Sequence, residues 1–259
     1  MPFGRVELKE ELGGHSLWTL PVLGPVHADT ILTTWLAMAV ALVFLAYVGN
    51  SYRSPRAGRT QTVFEGVVDY IADLVYGSLG KGGEPFVPFF IALFIFIFLL
   101  NQFGILPFKA LGLPFGGSPT ADLNTTLALG LMMFVTIQVA AVRKGGIGAY
   151  KHIFSAPPGA PPALALLMTP INLIDEIARP VTLTLRLFFN IFVGELLLFV
   201  IASIINAKIT IGAFNLSLAV TVLPLGIEFF NFFVGTVQAF IFTLLGVVYL
   251  SLATSADEH

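Results

Sequence analysis

The hydrophobic positions of this chain fall into long apolar runs that are separated by short polar stretches. Three of these runs are near the length of about 20 residues that a helix needs to cross the hydrocarbon core of a bilayer. Two further runs, after a proline-rich linker at 157–162, are about twice as long. We predict helices over these runs, at 29–47, 85–106, 123–142, 163–206 and 216–254.

The two long segments exceed the length of one upright crossing. A helix of about 40 residues is roughly 60 Å long, about twice the hydrocarbon thickness. Such a helix must kink, tilt steeply or lie partly along the membrane surface. We therefore expect these two segments to form a long tilted hairpin.

A different pattern occupies segment 62–80. Its apolar residues repeat at helical spacing, while Glu65, Asp69 and Asp73 recur every four residues. Thr62 with Glu65 three residues later forms a capping box, which is typical of a helix start. This pattern predicts an amphipathic helix in the membrane interface, whose acidic face meets either water or a basic protein surface.

Composition changes the picture from apolar segments to a membrane protein. Of the 259 residues, 56% are hydrophobic and 11% are charged, which is too little polar surface to cover a globule in water. We predict an all-α integral membrane protein, a single membrane domain over 1–259 with about five membrane-crossing helices and one interfacial helix. The absence of cysteine excludes disulfides and thiolate chemistry.

Other chemistry is poorly represented. The stretch 77–81 (Gly-Ser-Leu-Gly-Lys) lacks the spacing of a phosphate-binding loop and the Ser or Thr that follows its lysine. Four histidines lie outside the predicted spans without metal-ligand spacing, and we expect them at the solvated surface: His15, His27, His152 and His259. We therefore expect no nucleotide site, metal, cofactor, nucleic-acid partner or enzymatic centre in this chain.

The orientation follows from the lysines and arginines near the ends of the spans. Seven lie in the loops after the first and third spans, against four in the N-terminal segment and the remaining loops. The positive-inside rule then puts the N-terminus outside and, after five crossings, the C-terminus in the cytoplasm. No apolar run begins before about Ile31, so we expect neither a cleavable secretory signal nor a transit peptide, which favours a bacterial inner membrane.

Charged residues occur inside the first long segment and follow one face of the predicted helix. Steps of four, three, four and four residues give one polar stripe, formed by Asp175, Arg179, Thr182, Arg186 and Asn190. Asp175 lies one turn before Arg179, which predicts an interfacial ion pair with a snorkelling arginine.

Arg186 is not explained by local pairing. A guanidinium near the bilayer centre costs about 2.5–3.5 kcal/mol, and no acid lies three or four residues away on either side. Thr182 and Asn190 can accept hydrogen bonds from it but cannot neutralise its charge. Glu195 lies on the opposite side of the helix, so the counter-charge must come from elsewhere.

A second polar stripe runs along the last segment, formed by Glu228, Asn231, Gly235, Gln238, Phe242 and Tyr249. If the two long helices pack antiparallel, Gln238 can meet Arg186. Asn231 either lines a channel or holds two helices together through its amide. Carboxyl groups inside a membrane can exchange protons near neutral pH, so Glu195 and Glu228, on different faces, suggest two separate proton routes.

Several strings of this chain resemble a known family. Arg179-Pro-Val-Thr-Leu-Thr-Leu-Arg186-Leu-Phe-Phe-Asn190, followed by Gly194-Glu195, is similar to the signature of subunit a of F-type ATP synthases. Three further strings resemble that family's other segments, in the family's order: Asn101-Gln-Phe-Gly-Ile-Leu-Pro107, Thr120-Ala-Asp122-Leu-Asn124 and Gln238-Ala-Phe-Ile-Phe-Thr-Leu-Leu. The resemblance covers about 62–254, and four motifs in one order are much more specific than any one alone.

The resemblance implies a proton-translocating stator subunit. Such a subunit lies against a rotating ring of c subunits, each with a carboxylate in the membrane, and is held by the peripheral-stalk b subunits. Protons cross through two half-channels, and the family's arginine, here Arg186, deprotonates each passing carboxylate, so that ion flow drives rotation and ATP synthesis. The same resemblance makes Gln238 the neighbour of this arginine across the hairpin, and Asn190 and Glu195 the polar lining of a channel.

One position departs from the family's pattern. Where the family commonly has Glu or His, this chain has Asn231, which cannot carry a proton as a titrating group. We expect Glu228, one turn earlier, to act in the proton path in its place. Asp122 at the start of the third span has two open readings, as a helix cap or as part of a channel.

Two other classes of function compete with this one. A self-sufficient ion-coupled secondary transporter would bind an anionic substrate at Arg186, but such folds often show inverted repeats, and the 175–195 pattern has no second copy in the chain. A purely structural membrane scaffold would leave Arg186 unexplained.

Overall fold

The computed structural model describes residues 17–20, 24–51, 59–106, 117–146, 148, 162–206 and 216–255. Some predictions concern residues outside these ranges. These are most of the proline-rich linker, the two chain ends with His15 and His259, the internal His152, and the positive charges Arg5, Lys9, Arg53, Arg56, Lys109, Lys151 and Lys208.

Helices make up most of the described chain. The α-helices are α1 (Ala28–Ser51), α2 (Arg59–Leu79), α3 (Val87–Phe103), α4 (Leu123–Gly145), α5 (Pro162–Asn206) and α6 (Leu216–Ser255). Short 3₁₀ helices precede α3 and α4, at Gly80–Phe86 and Pro119–Ala121. Within the described ranges, five stretches are long and apolar enough to cross a membrane: Ala28–Tyr47, Gly82–Phe103, Leu123–Gly145, Met168–Ile201 and Leu223–Thr254. The predicted all-α membrane fold is confirmed.

The last two candidate spans are longer than a bilayer requires. They contain 34 and 32 residues, which is roughly 50 Å of helix each. Prolines lie inside both helices, Pro170 and Pro180 in α5 and Pro224 in α6. Each proline removes one backbone N–H donor, so these are the positions where a long helix is most easily bent.

Helix α2 separates its two faces as its pattern predicts. Ile71 and Val75 are buried, whereas Asp69 and Asp73 are exposed. The carboxylates therefore lie away from the apolar contacts of this helix.

The structure adds one element that the hydrophobic pattern did not predict. Strands β1 (Leu17–Leu20) and β2 (Gly24–His27) pair antiparallel, with Leu17 opposite His27 and Leu20 opposite Gly24. Strands of four residues are too short for an alternating pattern to identify them. Because β2 runs directly into α1, this hairpin ends where the first candidate span begins.

Contacts divide the chain into two compact units, each with its own core. The first consists of Met1–Pro55, Ile95–Asp122 and Phe189–Ala239, and its buried apolar residues include Ala37, Ile97, Leu100, Ile191 and Ala239. The second consists of Arg56–Phe94, Leu123–Phe188 and Phe240–His259, and its buried apolar residues include Phe90, Met133, Leu187, Phe242 and Leu250.

Large apolar side chains also lie on the outside of the helices. Trp35, Phe199, Leu225 and Phe229 are between 67% and 75% exposed. A soluble monomer rarely exposes apolar surface so widely, whereas lipid accepts it without cost. This surface agrees with the membrane fold.

Candidate functional site

Arg179 has partners within the second unit, although not the one that the sequence suggested. Its Nη1 lies 3.4 Å from Glu176 Oε2, and Glu176 Oε1 accepts a hydrogen bond from Gln138 Nε2 at 2.6 Å. The guanidinium carbon lies 5.8 Å from the ring centroid of Tyr249. The predicted pair with Asp175 is wrong, because Asp175 is exposed while Glu176 is turned toward α4 and reaches both partners.

Arg186 has a different environment, seven residues further along α5. Its side chain is exposed, while Leu183 and Leu187 beside it are buried. Within the described ranges the guanidinium makes neither an ion pair nor a hydrogen bond. The charge is therefore held on the outside of an apolar helix, and its counter-ion does not come from the described part of this chain.

The two neutral neighbours of Arg186 are bonded to other groups. Thr182 Oγ1 donates to the backbone oxygen of Arg179 at 2.9 Å. Asn190 Nδ2 donates to Gln238 Oε1 at 2.7 Å. The stripe predicted on α5 thus contains an arginine whose flanking polar side chains are already fixed in place.

Gln238 is the most deeply buried amide of the site. Its side chain is 1% exposed, and its Oε1 accepts the hydrogen bond from Asn190. Its Nε2 is buried without a partner among the described residues. An unsatisfied buried donor costs about 1–3 kcal/mol, so a fold maintains one only where water or another molecule can serve it.

Helices α5 and α6 approach closely at Gly194 in the first unit. A Cβ atom at this position would overlap the side-chain oxygen of Asn231. Only glycine leaves room for this amide, which is half-buried. Since Asn190 meets Gln238 and Gly194 meets Asn231, the two helices run antiparallel here, as the sequence reading assumed.

Glu195 is held by the short segment 118–122. Its Oε1 accepts a hydrogen bond from the backbone N–H of Ser118 at 2.8 Å. The Ser118 hydroxyl donates to the backbone oxygen of Leu100 at 3.1 Å and lies 2.7 Å from the hydroxyl of Thr120. A Cβ at Gly104 would lie 2.6 Å from Ser118 Cβ. Segment 118–122 can therefore pack this closely only because residue 104 is glycine.

The same network continues from segment 118–122 to α6. Thr120 Oγ1 donates to Asn101 Oδ1 at 2.7 Å, and Asn101 Nδ2 donates to the backbone oxygen of Gly235 at 2.9 Å. Asn101 and Thr120 are buried. These contacts fix the position from which Ser118 meets Glu195.

Asp122 lies at the other end of segment 118–122. Its Oδ2 is 2.8 Å from Nδ1 of His27, and the two side chains are 13% and 41% exposed. The prediction that His27 is simply a solvated surface residue is therefore wrong. Asp122 also directly precedes α4, so its position suits both readings that the sequence left open.

Glu228 contrasts with the other carboxylates of the site. It is half-buried in α6, yet it makes no hydrogen bond or ion pair with any described residue. Asn231, one turn later, packs against Gly194. The structure thus brings Asn190 to Gln238, and joins Glu195 and Asp122 to one segment, while Glu228 has no contact with these groups.

Sequence reasoning missed the residues that support the site. Thr120 and Asn101 entered the sequence analysis only as parts of motifs, and Ser118 and Glu176 did not enter it at all. An asparagine near the end of an apolar span, as at 101, is a signal that could have identified one of them, because an amide there needs a partner. His27 offered no such signal, since its partner lies 95 residues away.

Comparison with known proteins gives consistent matches over nearly the whole chain. The profile of the family described as ATP synthase A chain matches residues 31–251. The chain is 35% identical to an ATP synthase subunit a of Gluconobacter oxydans over 242 residues, which cover 91% of this chain and 93% of the relative. It is 31% identical to an ATP synthase subunit a of Chlorobium phaeobacteroides, over 100% of this chain and 72% of the relative.

Proposed function

We propose, from the premise that this chain belongs to the ATP synthase A chain family, that it is the proton-translocating stator subunit of an F-type ATP synthase. In this role it lies against a rotating ring of c subunits, is held by the peripheral-stalk b subunits, and provides two half-channels for protons. In this proposal the chain is a non-catalytic, ion-translocating subunit of the complex.

Arg186 is the observation that carries the proposal. Its guanidinium is exposed on an apolar helix without a partner in the described chain. A permanent charge in this setting is tolerable when a carboxylate from another subunit reaches it. A ring whose subunits each present one carboxylate supplies such a partner repeatedly.

The charge of Arg186 explains how the ring is made to release its protons. A fixed guanidinium favours the ionised form of any carboxylate that comes close. At an effective dielectric of about 20, a contact of about 4 Å is worth roughly 4 kcal/mol, enough to force deprotonation yet weak enough for thermal motion to break. The same charge repels protons and so separates the two half-channels.

Polar groups of the first unit are assigned to the channels. We assign Asn190, Gln238, Glu195 and Asp122 to the proton path. Glu195 and Asp122 are ionisable and are joined by segment 118–122, which supports a shared route. The buried Nε2 of Gln238 supports a water-filled position beside it.

Glu228 and Asn231 complete the assignment. Glu228 is a half-buried carboxyl that no described residue neutralises. An amide such as Asn231 cannot titrate, so Glu228 takes over proton exchange at this end of α6. Asn231 fills the space over Gly194 and lines the path.

The chain is a multi-pass membrane protein, and its place in the cell is part of the proposal. We assign it to a bacterial inner membrane, with the N-terminus outside and the C-terminus in the cytoplasm. The excess of lysine and arginine in the loops after the first and third spans supports this orientation.

The experiment that tests the function is Arg186→Gln in the whole ATP synthase, reconstituted in liposomes and driven by a pH difference. Glutamine keeps hydrogen-bonding capacity and removes the charge. We expect coupled ATP synthesis to fall by about a hundredfold or more, because roughly 4 kcal/mol of electrostatic stabilisation is lost, while the complex still assembles.

Arg179→Gln is the matched control. It removes the same group from the same helix, but Arg179 already has Glu176 as a partner in the chain. We expect this variant to retain synthesis within about threefold of the unchanged complex. Full coupling in an assembled Arg186→Gln complex would show that the proposed stator function is wrong.

A further inference from the structure

Two ionisable side chains from distant parts of the first unit meet just ahead of two candidate spans. His27 is the last residue of β2, immediately before α1, and Asp122 immediately precedes α4. The imidazole Nδ1 and the carboxylate Oδ2 are 2.8 Å apart. Because both residues adjoin the N-terminal ends of spans, the pair lies at one boundary of the membrane.

We propose that His27 is the first proton-exchanging residue of the path from the N-terminal side of the membrane, and that it passes protons to Asp122. The proposal rests on the proposed function, in which Asp122 and Glu195 belong to the proton path. It adds a residue that faces the aqueous compartment and feeds the first of these carboxylates.

The different exposure of the two side chains indicates the order in which an incoming proton meets them. The imidazole is 41% exposed and the carboxylate 13% exposed. Water therefore reaches the histidine more readily than the acid, and a proton arriving from outside meets the imidazole first. Histidine suits this task, because an imidazole can take up a proton on one ring nitrogen and release one from the other.

Asp122 is connected inward through a short and well-fixed piece of chain. Its backbone N–H donates to the oxygen of Pro119 at 3.2 Å, which closes the 3₁₀ turn. Ser118 at the far end of this turn donates its N–H to Glu195. The two carboxyl groups of the path are therefore attached to opposite ends of segment 118–122.

The hairpin fixes His27 at its place in the pair. His27 is opposite Leu17 in the β1–β2 register, so the strand pairing sets the position of its backbone. Two other carboxylates lie on elements that pack here: Asp29, buried in the first turn of α1, and Glu195 on α5, which accepts a hydrogen bond from Ser118. His27 is the basic residue among these carboxylates.

The transfer balances in protons and charge. A neutral imidazole with its hydrogen on Nδ1 takes a proton at Nε2 from hydronium in the aqueous compartment, which leaves water, and becomes a cation. Its Nδ1 hydrogen then passes to Asp122 Oδ2, which gives a neutral imidazole and a neutral carboxyl. Asp122 releases this proton inward and is a carboxylate again, and the imidazole returns to its first tautomer by exchange with water or by turning over.

A purely structural pair is the alternative that the experiment must separate. A pair this exposed contributes little to stability. A tether of this kind would hold the hairpin against segment 118–122 and would not depend on titration. Its replacement by a neutral hydrogen-bonding residue would then be harmless.

The test compares His27→Gln and His27→Ala in the whole ATP synthase, reconstituted in liposomes. ATP synthesis is measured at a fixed pH difference while the pH on the N-terminal side is varied. Glutamine can still donate a hydrogen bond to Asp122 but cannot titrate. We expect both variants to match the unchanged complex at acidic pH, and the midpoint of their pH profile to lie about one unit lower.

Added imidazole buffer supplies a second readout. It should restore synthesis by His27→Ala at neutral pH by at least about threefold, since a free imidazole can take the vacated place, and leave the unchanged complex unaffected. The double variant His27→Gln with Asp122→Asn should be no slower than Asp122→Asn alone, because the two residues act in one step.

An unshifted pH profile in His27→Gln, or the absence of rescue by imidazole, would overturn the proposal and leave the pair as a tether. If His27→Ala fails to assemble, His27→Gln and the double variant still decide the question. Arg186→Gln is measured in parallel. If it loses coupling while the His27 variants behave like the unchanged complex, only the proton-entry role of His27 is refuted, and the proposed stator function is not.

Discussion

The two arginines of α5 differ in whether the described chain supplies an ionic partner for the guanidinium. Arg179 has an acid at 3.4 Å, a nearby aromatic ring, and a cavity of about 10 Å³ beside it, enough for about one water molecule. Arg186 has buried leucines on either side and no ionic partner among the described residues. One charge is satisfied within the chain, and the other is available to another subunit.

The carboxylates divide in the same way. Glu176 accepts a hydrogen bond from Gln138 on one oxygen and pairs with Arg179 through the other. Glu228 is half-buried and makes no such contact within the described ranges. An ionisable group that has no partner inside a membrane protein costs free energy. Its presence therefore indicates a functional role rather than a structural one.

Among changes that would make the two arginines alike, the largest effect is expected from giving Arg186 an internal partner like that of Arg179. Thr182 is exposed one turn before Arg186, so Thr182→Glu would place a carboxylate at the favourable spacing of four residues. This acid should compete with the partner from another subunit. We expect coupled ATP synthesis to fall by at least about tenfold, measured in reconstituted complexes driven by a pH difference.

Thr182→Gln is the control for this variant, since it has the same size and no charge. It should keep synthesis within about twofold of the unchanged complex, because a surface substitution here has little effect on stability. Equal activity of the two variants would show that Arg186 does not depend on remaining free of local acids.

An intermediate effect should separate the two carboxylates. Glu228→Gln removes a titrating group without a partner among the described residues, and we expect ATP-driven proton pumping to fall about fivefold, well below the roughly 10²–10⁴-fold that a general acid or base contributes in catalysis. Glu176→Gln should keep pumping within about twofold, because its interactions are internal and local. Undiminished pumping in Glu228→Gln would remove Glu228 from the proton path.

Much of this contrast between charged groups with and without a partner in the chain was predictable from residue spacing alone. The all-α class followed from the length of the apolar runs, and the isolation of Arg186 from the lack of an acid within one turn. Both depend on helical periodicity, which a sequence displays directly. The antiparallel meeting of Asn190 with Gln238 was assumed, and its register became known only from the packed helices.

The remaining contacts depend on tertiary packing. The choice between Asp175 and Glu176 as the partner of Arg179 depends on where α4 brings Gln138, and neighbouring acids look equivalent in a sequence. The pair of His27 with Asp122 joins residues 95 positions apart, and the hairpin before α1 is too short to leave a pattern. Polar partners across elements were therefore the least predictable part of the site.

The smallest expected effect tests whether the cluster of Arg179, Glu176 and Gln138 has only a structural role. Gln138→Leu removes the hydrogen bond to Glu176 Oε1 and leaves that oxygen without this donor. The loss of a charge-assisted hydrogen bond should cost about 1–3 kcal/mol, which lowers the thermal unfolding temperature of the complex by a few degrees. Thr136→Ala, a half-buried change on the same helix that removes only a local hydrogen bond to the backbone oxygen of Met132, should lower that temperature by much less. Coupled synthesis below the unfolding range should be the same in both variants, because neither changes a group that exchanges protons. A clear loss of coupling in Gln138→Leu without loss of stability would place the Glu176 cluster in the proton path and end the distinction between the two arginines.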